Sequence, residues 1–321
     1  MNHTRINIGL FVLLSGLLCT SCSEDAAEAA GEHPFGKSVP LGVSSLRLEG
    51  EVATRAGGTP VTTDGAAIKV FLTNAGGYTA MYNKPYTCTG GTWSSTDPIY
   101  VDKRAGKALA VYDPNGLVSF GANSTVTTSN ALQAQVYDET KLWYYDNTNG
   151  AGVNSATPAV FSMIPAYARL KLSIKRHATN YIGNCNITNV NLKNSSGSNF
   201  FVSRTLDISN GANGGSATAG GWTYALNSGN IAANATNTAY DVLVPPQPVS
   251  GNLTITLTID GVNRAVNIPA AQFTSNALAV GRQYTIALTI TDTAVTPGGN
   301  VAITDMTADG TNIKNDTPTE L

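Results

Sequence analysis

ARLKLSIK, residues 168–175, alternates without a break: Leu170, Leu172 and Ile174 fall on one face, Arg169, Lys171, Ser173 and Lys175 on the other. A period of two with one polar face marks a strand buried on one side only. LTITLTID (253–260) repeats the pattern with Leu253, Ile255, Leu257 and Ile259, and YTIALTIT (284–291) with Ile286, Leu288 and Ile290. Nearer the start, SSLRLEGEV (44–52) sets Leu46, Leu48 and Val52 against Arg47, Glu49 and Glu51. Strict alternation fits antiparallel sheets packed as sandwiches. Clusters such as NGANGGSATAGG (210–221) and PPQPVSGN (245–252) supply turns between strands. No long helical pattern competes, so the expected fold is all-β.

The composition agrees. Of 321 residues only 12% are charged while 42% are hydrophobic, so Thr, Asn, Ser and Gly carry the polarity, residues suited to strands and turns. A formal net charge of −2 provides no basic surface for nucleic acid and no strong field for a charged substrate.

The first residues read as an export signal. Arg5 precedes the apolar run INIGLFVLLSGLLC (6–19), too short to span a bilayer as a helix. CTSC (19–22) resembles a lipobox, with Cys22 as the acylated residue and new N-terminus, although Cys19 stands where Leu is usual. Ser23-Glu24-Asp25 resembles an acidic signal for transfer to the outer face of the outer membrane. The expected organisation is a signal peptide at 1–21, a tether at 22–40, an N-terminal β domain at 41–157, a C-terminal β domain at 158–291 and a polar tail at 292–321. The N/C boundary is drawn where the Gly/Asn-rich loop before Pro158 gives way to the strong strand. Cys88 and Cys185 remain after the leader, one per domain. The compartment permits a disulfide, but two free thiols are the expected state.

Catalytic chemistry is not apparent. His177 is the one histidine past the tether, and no hydrolase, phosphate-binding or zinc motif occurs. No metal or other cofactor is expected, nor an enzyme. LWYY (142–145), flanked by Asp138, Glu139 and Asp146, admits two readings. Trp143, Tyr144 and Tyr145 are either a sugar-stacking platform with acidic partners or core residues beside solvated turns; the core reading is the favoured one.

Taken together, the lipobox with its Ser-acid-acid sequel, ATRAG (53–57) behind the first strand, MIPAYARLKLSIK (163–175), VGRQYTIALTITDT (280–293) and VAITD (301–305) resemble the fimbrillins, type V pilins of the Bacteroidia. The resemblance implies two transthyretin-like β-sandwich domains, made as a surface lipoprotein. It implies cleavage by a trypsin-like, arginine-specific protease, with Arg55 at the cut and Ala56 as the new N-terminus. The cut would remove the strand at 43–52, with Leu46, Leu48 and Val52. The emptied groove would take a donor strand from another fimbrial subunit, here residues 299–314 with Val301, Ile303 and Ile313. Adhesion to an unknown receptor would be the output. A tip, accessory or anchor subunit is the alternative within the family, and a surface glycan-binding lipoprotein the alternative outside it.

Overall fold

The computed structural model describes residues 34–49, 58–120, 129–196, 200–226 and 228–306. The chain is all-β; the only helical turns among these residues are three-residue 3-10 turns. The described residues from Ser38 onward form one compact unit around two hydrophobic cores.

The first core is wrapped by β1 (Val43–Leu48), β2 (Ala67–Leu72), β3 (Met81–Thr89), β4 (Thr92–Ser94), β5 (Gly106–Tyr112), β6 (Tyr144–Asp146) and β7 (Ala159–Pro165). Pairings run β1–β4–β3–β2–β5–β6–β7, and β7 pairs β1 again, so the sheet closes on itself. Closure removes edges that an open sheet must otherwise protect.

The second core lies between two sheets. One joins β8 (Ala168–Arg176), β11 (Thr236–Val244) and β14 (Arg282–Ile290) in the order β11–β8–β14. The other joins β9 (Ile187–Asn194), β10 (Trp222–Ala225), β12 (Asn252–Ile259) and β13 (Val262–Pro269) in the order β10–β9–β12–β13. Alternate residues of both sheets, including Leu170, Leu172, Leu192, Leu257 and Leu288, are buried, as the period-two pattern requires. The free edge of β14 is covered by β15 (Val295–Pro297) and β16 (Ala302–Asp305).

Two features depart from the sequence reading. Each half contains one parallel pair, β1 with β7 and β8 with β14, whereas the sequence pattern leads one to expect antiparallel sheets throughout. A parallel pair needs a long crossover, and here the intervening strands supply it. The change of core falls between Tyr167 and Ala168, later than the expected 157/158 boundary. β7, assigned from sequence to the second half, closes the first ring.

The halves also exchange segments. Ser129–Gln133, from the first half, pairs with Ser203–Asp207 of the second, which pairs in turn with Ala212–Gly214. Leu132 and Leu206 of this small sheet, and Ile208 just after it, are buried in the first core. Gln135–Val136 adds to the outer edge of β11. Val70, Phe71 and Leu72 are buried in succession, which a strand permits only when both of its faces are covered.

Candidate strand-exchange site

β1 is built by its sequence to be buried on one face. Leu46 and Leu48 are each 1% exposed, and Val43 and the preceding Leu41 are also buried, while Gly42, Ser44 and Arg47 face outward. Its stronger edge is toward β7. The five register pairs there run from Val43 opposite Ala159 to Leu48 opposite Met163, and Glu49 N donates to Met163 O at 2.7 Å. Ser44 Oγ adds a bond to Ala159 O at 3.2 Å, and the Ser162 hydroxyl donates to the Glu49 carboxylate. The opposite edge is thinner. Val43 pairs with Trp93, Leu46 O accepts from Val61 N at 3.0 Å, and Arg47 faces Pro60, a residue without an amide donor.

The chain leaves β1 at Glu49 and returns at Gly58, whose φ is +51° and where a Cβ would stand 2.7 Å from Leu48 O. Both constraints call for glycine. Val52, Arg55 and Ala56 lie between these points, outside the described residues, as do Cys22 and Ile313. The other arginines of the described residues are all engaged. Arg47, Arg169, Arg176, Arg204, Arg264 and Arg282 lie in strands. Arg104 lies outside them, but its Nε stands 3.0 Å from both oxygens of Asp102. Those bonds hold the Asp102 carboxyl well below the usual range, against the desolvation of a side chain 2% exposed.

The tail is docked on its own chain. β16 runs antiparallel to β14, pairing Asp305 with Arg282 and Ile303 with Tyr284, and Arg282 and Asp305 form an ion pair. Val301 and Ile303, expected as donor residues, pack half-buried against the second core. Met306, which breaks their alternation, is 1% exposed and belongs to the first core; its N donates to Gly281 O at 2.8 Å. The departure from a period of two at Met306 marks the point where the strand changes cores. Leu41 joins the site from outside the expected segments, while Val43 and Met306 fall within 43–52 and 299–314.

The aromatic run resolves toward the core. Trp143, Tyr144 and Tyr145 are 2%, 5% and 1% exposed, with Tyr144 against Tyr112 and Trp143 against Tyr145, so they present no platform for a sugar. Burial pushes the Tyr145 hydroxyl up to about 12. Asp146 is buried beside them, not solvated in a turn, and burial raises its carboxyl. His177 closes a local turn, its Nδ1 accepting from Thr179 N and Asn180 N. Cys88 and Cys185 are free, one in each core.

A family model described as fimbrillin-like matches residues 54–305. No curated protein matches the sequence. Among solved structures, a candidate cell adhesion protein from Bacteroides ovatus shares 16% identity, with a TM-score of 0.54 over 84% of this chain and 99% of that one. A fimbrial protein from Bacteroides vulgatus shares 13% identity, with a TM-score of 0.52 over 83% and 100%. A candidate cell adhesion protein from Bacteroides uniformis shares 16%, with a TM-score of 0.51 over 82% and 99%. At such identities the likeness is one of fold. The family match spans most of the sequence, from just behind the first strand to the end of β16, and the chain is a member of the fimbrillin-like family.

Proposed function

We propose that this fimbrial protein is exported as a lipoprotein on Cys22, cut after Arg55 by an arginine-specific protease, and polymerised by strand exchange into the seat of β1. The observation that carries the reading is the position of β1. It is a ring strand with a fully buried inner face near the N-terminal edge of the fold, so one cut behind it frees it together with only the short Val39–Pro40 strand, which pairs with Tyr100–Val101. Burial of Leu41, Val43, Leu46 and Leu48 is worth about 1.5–3 kcal/mol per side chain. An emptied seat therefore has a strong appetite for another apolar strand, taken up by β-augmentation. The engagement of every other described arginine supports a single cut, because a protease needs an extended, locally unfolded segment.

The donor is the tail. Val301 and Ile303 would have to leave β14 to serve, and Met306 would have to leave the first core; the residues beyond Met306 extend the reach. Donation from tail to groove is head-to-tail and gives an open filament. The docked tail also favours a second reading, a tip or accessory subunit that accepts a strand but does not give one. Two domains, one per core, would be the units of the mature subunit, and adhesion its output.

The test is limited digestion of residues 23–321 with an arginine-specific protease, followed by intact mass, N-terminal sequence and oligomeric state. A single new N-terminus at Ala56 with SDS-resistant ladders is expected. Cutting without ladders supports the accessory reading, and a chain cut elsewhere, or not at all, defeats the proposal.

A further inference from the structure

A cavity of about 270 Å³ opens beside the end of β2. Its apolar lining includes Phe71, Leu72, Leu109 and the ring of Tyr82, and its polar lining Thr73, Asn74 and Ser209. Ser209 comes from the second half, on the turn that follows Ser203–Asp207, so the site is complete only where the halves interlock.

The polar groups around this cavity are little used by the fold. The Tyr82 hydroxyl and the Asn74 amide make no hydrogen bond to the described residues. Thr73 Oγ1 accepts from Ala75 N at 3.2 Å, leaving its proton to give. Ser209 Oγ donates to Asp207 at 2.6 Å, leaving its lone pairs to accept. Among the described residues, no side chain of Lys, Arg, His, Asp or Glu lines the cavity.

The surrounding backbone is set in place. Gly76 has φ +69°, and a Cβ there would come within 2.1 Å of Ala105 O. Arg104 Nη1 donates to Gly77 O at 2.8 Å while its Nε grips Asp102, and the Tyr78 hydroxyl donates to Asp102 Oδ1 at 2.9 Å. This Asp–Arg–Tyr cluster pins the 73–80 loop. Across from it, the register of β2 against β3 shifts between Val70 and Leu72, and Asn83, next to Tyr82, has φ +55°. Such irregularities re-aim side chains and gather at functional sites.

We propose that this cavity binds a neutral sugar, one hexose ring at a time. Apolar and aromatic lining residues suit the C–H face of the ring. Unspent donors and acceptors at the edge suit its hydroxyls. A purely apolar ligand would strip water from those groups without replacing their bonds. A uronic or sialic acid would bring a carboxylate to a site where no described lining residue supplies a cation. The volume lies just under the roughly 300 Å³ at which drug-sized pockets begin, which limits the occupant to about one ring. A pinned loop lowers the ordering cost of binding.

The proposal goes beyond strand exchange and does not depend on it, so it is tested on the uncut chain. D-glucose, D-galactose and D-mannose are titrated separately to about 20 mM, a range suited to millimolar binding, into the ¹⁵N-labelled chain. At least one should move amide resonances of residues 73–82 and 209. Asn74→Ala and Tyr82→Phe, which remove single polar groups, should each weaken that sugar about tenfold. Absence of shifts at those amides, shifts only elsewhere, or equal or tighter binding of D-glucuronate or hexanol at the same amides would overturn it.

Discussion

Leu46→Ala should open the first core, and the two free thiols provide the means to see it. Leu46 is 1% exposed, and truncating a leucine in such a setting costs about 2–5 kcal/mol through lost transfer energy and the cavity left behind. Arg47, the next residue, faces outward, and its change to Ala should stay within about 0.5 kcal/mol. Cys88 is 0% exposed in the first core and Cys185 is 0% exposed in the second. Burial raises the Cys88 thiol, and burial together with Asp260 pushes Cys185 up to about 11. Neither reacts in the closed fold, so labelling reports the open population whenever reclosing outruns the reagent. At a factor of ten per 1.36 kcal/mol, Leu46→Ala should speed Cys88 labelling about 30-fold to several thousand-fold, against about twofold for Arg47→Ala. Residues 23–321 would be used, since without Cys19 and Cys22 only these two thiols remain. Equal acceleration by the two substitutions, or none by Leu46→Ala, would refute the placement of β1 in the first core.

Met306→Ala should loosen the tail: hydrogen exchange at 302–306 should accelerate while the β8 amides of the second core stay protected, since Met306 is the one fully buried residue of that segment. Gly76→Ala should destabilise the chain by about 2–4 kcal/mol in chemical denaturation, because a left-handed residue would meet Ala105 O. Asp102 has a lowered folded pKa, so its stabilisation is present above the usual carboxyl range and lost as pH falls below it. Acid titration of stability should therefore be shallower in Asp102→Asn than in the parent. Asp146 has the opposite sign: its pKa is raised by burial, so ionisation disfavours the fold as pH climbs past the usual carboxyl range. Asp146→Asn should gain on the parent at pH 7, as read by thermal melting, and the gap should close in acid.

The strands that were legible in the sequence are those buried on one face. 168–175, 253–260 and 284–291 became β8, β12 and β14 with little adjustment, because burial on one face writes itself as alternation. Pairing direction was not legible, since a strand's face pattern is the same whichever way its neighbour runs. The segment at 142–146 is buried continuously, and a continuous apolar run does not say which face is which. Its aromatic rings are therefore open to a surface reading as well as the favoured core one. Met306 carried a signal, the break in parity after Ile303, whose meaning depends on a second core brought close by topology. The cavity left no trace, because Tyr82 and Ser209 are far apart in the chain and meet only through the segment exchange between halves.

That exchange has a mechanical consequence. The first half ends at Tyr167 and the second begins at Ala168, with no linker to serve as a hinge, and the pairings of Ser129–Gln133 and Gln135–Val136 strap across the joint. Swivelling one half against the other would break both ladders and pull Leu206 and Ile208 out of the first core. Each subunit of a filament built as proposed would be a stiff segment. Bending under flow would concentrate at the junctions between subunits, and the flexibility of the whole fibre would be set by the donated strand alone.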